Sequence, residues 1–152
     1  IVIIIKTKQL IKPLNQLCYE INIEAMVLHP DTVENFDILD KSGLPFLIEN
    51  MDTRKKSGTT IQEFIEFKQK FSFGFVLDLE DAYEHDNSMK IAHNFVEVMG
   101  DRLKRMHVSG CSDTKLHVPL GLREVGFLRV ERSDLQKFNL REDCKSEPFK
   151  PC

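Results

Sequence analysis

The sequence predicts an α/β fold with parallel strands, in which about five strand–helix units follow one another. Three observations carry this. Short apolar runs, flanked by Gly, Pro or charge, recur along the chain and suit strands buried on both faces. Between them lie stretches with apolar residues three and four apart, the spacing of one helix face. Four of the runs end in a residue able to bind a metal. Ala25-Met-Val-Leu ends in His29, Leu44-Pro-Phe-Leu-Ile in Glu49, Phe73-Gly-Phe-Val-Leu in Asp78 and Leu103-Lys-Arg-Met in His107. Strand and helix alternate at roughly 25–30 residues per unit, the repeat of a parallel sheet or barrel.

Taken in order, residues 1–5 read as a buried strand or the remnant of one. The chain opens inside that run, which points to a longer protein whose N-terminal part precedes it. Residues 8–23 place Leu10, Ile11, Leu14, Leu17, Cys18 and Ile21 on one helix face, with Pro13 near its start. A strand over 25–28 follows. Residues 32–41 form a short helix with Val33, Phe36 and Leu39 on one side, stopped by Ser42-Gly43. A strand over 45–48 leads to Glu49 and then to a polar loop over 52–59. Thr60 reads as an N-cap with Glu63 three residues on, opening an amphipathic helix that runs to Lys70.

The strand over 73–77 ends at Asp78, and residues 80–86 read as an acidic loop. A helix over 88–99 is closed by Gly100. The strand over 103–106 ends at His107, and a loop of small and polar residues runs on to His117-Val-Pro-Leu-Gly121. Residues 124–138 have helical spacing, whereas 142–152 are charged, carry two prolines and read as disordered. The domain is thus expected over 1–140, with a tail at 141–152.

At 152 residues the chain is long enough for one domain with a core, and 41% hydrophobic with 30% charged residues is ordinary for a soluble protein. A net charge of −3 gives no reason to expect a polyanion-binding surface, so nucleic acid is not an expected partner. The run Arg54-Lys55-Lys56 reads as a solvated loop. No apolar run approaches the roughly 20 residues of a membrane span. Cys18, Cys111, Cys144 and Cys152 show no CxxC pairing and read as reduced thiols, which suits a cytoplasmic protein.

His29, Glu49, Asp78 and His107 are ligand types for a divalent ion such as Zn, Mn or Co. Residues that directly follow parallel strands converge on one pocket at the C-terminal end of a barrel. The plain alternative is that polar residues end strands because loops begin there. Four ligand types in succession argue against it. His93, mid-helix among polar neighbours, reads as a surface or helix-packing residue, and His85, in the acidic loop, as solvent-exposed, with a place lining the pocket as the alternative. Glu80 and Asp81 read either as outer acids beside Asp78 or as an acidic surface loop.

The blocks Val27-Leu-His-Pro, Leu47-Ile-Glu-Asn, Val76-Leu-Asp-Leu-Glu-Asp-Ala, Lys104-Arg-Met-His-Val-Ser and His117-Val-Pro-Leu-Gly together resemble the xylose isomerase-like TIM-barrel superfamily. That group holds the sugar-phosphate isomerase/epimerase proteins and the endonuclease IV type AP endonucleases. The resemblance covers about residues 8–121 and implies a partial (β/α)8 TIM barrel. It makes Glu49, Asp78 and His107 metal ligands, Glu49 also the catalytic base, and His29 and His117 substrate-binding residues. A second Glu would come from an eighth strand, for which Glu131 is the formal candidate, although its segment reads as helical. The endonuclease branch would need a His where Asp81 stands and an Asp where Lys115 stands.

The implied activity is a Mn-, Zn-, Co- or Mg-dependent isomerase or epimerase. It would act on a sugar, sugar phosphate or polyol-like substrate through metal-stabilised enediolate proton transfer. The partner is then a small-molecule carbohydrate. A competing reading is a truncated, non-catalytic relative or fragment with a metal-binding or structural role, its open side covered in a homo-oligomer.

Overall fold

The computed structural model describes residues 11–112 and 115–118, with side chains through Ser109. Its elements are α1 (Ile11–Glu20), β1 (Met26–Leu28), α2 (Phe36–Asp40), β2 (Phe46–Glu49), α3 (Ile61–Lys70), β3 (Gly74–Asp78), α4 (Leu79–His85), α5 (Lys90–Met99), β4 (Leu103–His107), β5 (Gly110–Ser112) and β6 (Lys115–Val118). Single 3-10 turns lie at Pro30–Thr32 and Gly100–Arg102. Strands β1 to β4 form one sheet in sequence order, and every neighbouring pair is parallel. The chain is therefore an α/β protein with helices between parallel strands. The expected strand at 1–5, the helical segment at 124–138 and the tail at 141–152 lie outside the described residues.

Three stretches differ from the sequence reading. The acidic segment after Asp78 is a helix, α4, because Asp78 accepts from the backbone N–H groups of Glu80 and Asp81 and so caps it. The expected helix over 32–41 is shorter, because Pro30–Thr32 is spent on a 3-10 turn and Asn35 starts α2 by accepting from Ile38 N at 3.2 Å. The expected loop after His107 contains an antiparallel hairpin, β5–β6. Lys115-Leu-His-Val does alternate polar and apolar residues, but over too few positions to stand out as a strand.

The two central strands explain the core. Every residue of β2 is buried, as are the last four of β3, so each reads as a continuous apolar run up to its closing acid. Ile48, Phe75 and Leu77 belong to the core cluster with Phe64 of α3 and Phe95 and Met99 of α5. Phe64 sits edge-on to Phe95 with ring centroids 4.9 Å apart, and packs at 5.7 Å on Phe75. Burying a ring of this size contributes about 1.5–3 kcal/mol. The helix α3 that carries it begins as expected, with a Thr60/Glu63 capping box.

Arg102 ties the layers together at the end opposite the strand-ending acids. Its guanidinium donates to the carbonyls of Lys68 and Phe71, at the end of α3, and to that of Phe73, just before β3. It also lies over the Phe75 ring at 5.0 Å. Burial pushes its pKa down from the ordinary arginine value, although Asp101 and Asp40 oppose the shift. Among the described residues no helix is long and apolar enough to cross a membrane.

Candidate metal centre

Strand register brings the closing residues together. In β2 and β3 Glu49 pairs with Val76, and in β3 and β4 Asp78 pairs with His107. Side chains alternate between sheet faces, so Val76 and Asp78 share a face, and Glu49 and His107 share it with them. Ile48, Phe75 and Leu77, one position out of phase, point to the opposite face and enter the core cluster. On β1 the last register pair is Leu28 with Ile48, which sets His29 beside Glu49. The four residues thus stand in a row across one end of the sheet.

Glu49 is the centre of that row. Its carboxylate is only 6% exposed, and both oxygens are held by imidazoles. His29 Nε2 lies 3.1 Å from Oε2, and His107 Nδ1 bonds Oε1. The hydrogen bond to Glu49 raises the His29 pKa above the usual histidine value, against the opposing effect of burial. The ring of His107 is 44% exposed, so the row opens to solvent at its β4 side. Glu49, Asp78 and His107 each offer one ligand atom, and these atoms lie within 4.8 Å of one another. Two carboxylates and an imidazole at this spacing could hold a divalent ion, which would relieve the repulsion between the acids.

Asn50 fixes the spacing of the two acids. It is 2% exposed, and its amide forms a reciprocal pair with the backbone of Asp78. The Asn50 Nδ2–H donates to the Asp78 carbonyl at 2.9 Å, and Asp78 N–H donates to Asn50 Oδ1 at 2.7 Å. A side-chain amide carries the same donor and acceptor as a peptide group, so it adds one more rung where β2 has ended.

The loop after Asn50 is folded back on the site. Met51 N–H donates to Gly58 O at 2.8 Å, and Lys55 reaches Asp31 at 3.2 Å. Gly58 has φ +78°, and a Cβ there would stand 2.2 Å from Pro30 Cγ, so only glycine fits. Arg54 is exposed as expected, but its guanidinium pairs with Asp52 at 2.8 Å and holds that carboxyl below the usual range.

No family model, curated protein or solved structure matches the chain.

The remaining candidates separate clearly. His117 lies on β6, and its side chain falls outside the described residues, as does Glu131. His93 is exposed. His85, expected in solvent, is instead half-buried, with Nε2 against the Met51 carbonyl at 2.9 Å. The turn of α4 carries it back over the loop. Glu80 and Asp81 are buried rather than on an acidic surface loop. Glu80 accepts from the Ser109 hydroxyl, and Asp81 forms a second acidic group with Asp52 and Glu84. Asn50 was missed because its partner lies 28 residues away, which no local pattern reveals. Cys18 is a free thiol, and the other three cysteines lie outside the described side chains.

A cleft of about 670 Å³ runs from this row of residues along β1 and α1. His29, Thr32, Glu49, Asp78, His107 and Ser109 supply its polar lining, and Phe46 with aliphatic side chains lines the rest.

Proposed function

We propose that the chain is a divalent-metal-dependent isomerase or epimerase of the xylose isomerase-like type. Its four-stranded sheet would be part of a (β/α)8 barrel, and its substrate a sugar, sugar phosphate or polyol-like molecule. The convergence of Glu49, Asp78 and His107 from three successive parallel strands carries this reading. Glu49, Asp78 and His107 would hold the ion, with Mn, Zn, Co or Mg all compatible with such a donor set. The ion would supply Lewis acidity toward adjacent hydroxyl and carbonyl oxygens.

The proton transfer falls to Glu49. For isomerisation its carboxylate would take the proton from the carbon beside the substrate carbonyl and return it to the former carbonyl carbon, while the hydroxyl proton passes from one oxygen to the other, a redox-neutral exchange. An epimerase would need a second acid on the opposite face of the same carbon. His29, on Oε2, would hold that carboxylate in one orientation and present the rest of its ring to substrate oxygens. His117 stays a candidate for substrate binding.

The test is uptake of deuterium at the carbon beside the carbonyl, read by NMR in heavy water over a panel of aldoses, ketoses and their phosphates. The protein with Mn²⁺ or Co²⁺ should exchange that position on at least one substrate, and Glu49→Gln should abolish the exchange while melting near wild type. Asp78→Asn and His107→Ala should each weaken Co²⁺ binding by at least about tenfold. Exchange that survives Glu49→Gln would defeat the assignment.

One observation favours a second, non-catalytic reading. The carboxylate of Glu49 is already bonded on both oxygens, and Asp78 Oδ1 already caps α4, so the row also works as a self-contained structural network. A second copy of the chain would then cover the exposed β4, where Lys104, Arg105 and His107 face solvent. Undiminished thermal stability on chelation, with no exchange on any substrate, supports this reading over the first.

A further inference from the structure

Of the basic run Arg54-Lys55-Lys56, Arg54 and Lys56 are exposed, whereas Lys55 is half-buried. Its ammonium lies 3.2 Å from Asp31 Oδ2, and Asp31 belongs to the turn that follows His29. Three contacts hold that turn. Thr32 shapes it from within, donating twice to the His29 carbonyl, through its backbone N–H at 3.0 Å and its hydroxyl at 2.7 Å. The backbone of Gly58 lies close against the fully buried Pro30. Lys55 holds Asp31 from the same loop, and is near enough to His29 for its charge to work against the rise in that pKa.

The other oxygen of Asp31, Oδ1, is buried with no hydrogen-bond partner among the described residues. A buried oxygen without a donor is costly, and such exceptions gather where a functional site demands them. Without Lys55 the carboxylate would lack a partner on both oxygens. It would then turn out to water, and the turn would move with it.

We propose that Lys55, acting through Asp31, is a positioning residue that keeps His29 on Glu49. The ion pair anchors the turn, the turn fixes the backbone of His29, and the ring then meets Glu49 Oε2 at 3.1 Å. His107, on the other oxygen, ends a strand paired to β3 and needs no such anchor. The carboxylate is therefore aimed from two sides, one of which depends on a loop. This rests on Glu49 as the base proposed above.

The test pairs activity with a readout that needs none. Lys55→Met keeps most of the side chain and removes its charge, Lys55→Arg restores the charge, and Lys56→Met removes an exposed charge next door. In the metal-free full chain labelled with ¹⁵N-histidine, the His29 Nε2–H proton is assigned by its loss in His29→Gln. It should stand downfield in the wild type and be lost to solvent exchange in Lys55→Met. With Mn²⁺ or Co²⁺ and saturating substrate, deuterium uptake by Lys55→Met should fall about tenfold while the variant melts near wild type. Lys55→Arg should recover most of both signals, and Lys56→Met should alter neither. Asp31→Asn combined with Lys55→Met should do no more harm than Lys55→Met alone, since the two residues act as a unit.

A His29 proton absent from the wild type, or unmoved in Lys55→Met, overturns the proposal and leaves Glu49 as the base. So does deuterium uptake that survives the loss of that proton. If no substrate exchanges with either metal, the reading of Glu49 falls instead. The proton signal alone then decides whether Lys55 holds His29 in place.

Discussion

At the residue scale, the two acids at the centre of the molecule are held by different means. Glu49 is fixed by its side-chain partners, His29 and His107, whereas Asp78 is fixed through its backbone by Asn50 and through its carboxylate by α4. Removing the Asn50 amide would leave both the N–H and the carbonyl of Asp78 buried without that partner. Each such group costs about 1–3 kcal/mol, so Asn50→Ala should destabilise the protein by about 2–4 kcal/mol in urea unfolding. Asn50→Asp should be no milder, since a carboxylate cannot donate to the Asp78 carbonyl. A loss under about 0.5 kcal/mol, the range of ordinary surface changes, would show that the amide pair does not hold the strand ends.

At the element scale, α3 shows how local chemistry fixes a start. Thr60 Oγ1 accepts from Glu63 N–H, and the Glu63 carboxylate accepts from the backbone N–H groups of Gly58, Thr59 and Thr60. Burial alone would raise the Glu63 pKa, but these donors outweigh it and hold the value below the usual carboxylate range. A carboxyl depressed on folding stabilises above its unfolded pKa, and the contribution is lost as pH falls through the folded pKa. Glu63→Gln should therefore cost about 1 kcal/mol at neutral pH, and the difference from wild type should close as pH falls from the usual carboxylate range through the lowered folded value. A gap that stays constant in urea melts across that range would mean that the charge of Glu63 contributes nothing.

That capping box was legible because its two residues sit three apart in sequence. The same holds for Gly43, which leaves α2 with φ +68°, and for the amphipathic face of α3. Helix α4 was not legible as a helix, since its apolar stripe is only Leu79, Ala82 and Tyr83 among four charged or titratable residues. Its signal was the capping Asp78 with two more acids in the first turn, favourable to the helix dipole. The same run of acids suits a solvated loop equally well. For the site, Glu49, Asp78 and His107 were legible because buried parallel strands end abruptly in polar residues. Their convergence depends on register, which the sequence does not carry; nor does it carry the Glu49–His29 contact or the Asn50 pair.

At the scale of the whole molecule, order falls off from the centre of the sheet toward its edges. Strands β2 and β3 are buried throughout or nearly so, β1 is half-buried until Leu28, and β4 is buried only at Leu103. Helix α1 leaves Leu17 and Tyr19 exposed, with Ile21 just beyond its end. Local opening free energy follows burial and contact density. Amide hydrogen exchange should therefore be slowest in β2 and β3, intermediate in α3 and α5, and fastest in α1. Equal protection of α1 and β3 would show that the described sheet unfolds as one unit with its outer helix.

The Asn50 clasp has a consequence for how the protein ages. An asparagine loses its amide when the next backbone nitrogen attacks the side-chain carbonyl to close a five-membered imide. Here that nitrogen, on Met51, donates to Gly58 O, and the amide itself is gripped on both its atoms by Asp78. Neither partner can turn toward the other while the strands are paired. The imide forms only when they part, and the aspartate it leaves behind cannot rebuild the clasp. Each opening long enough for that chemistry makes the next one easier, so damage here accumulates with time spent unfolded and not with time alone.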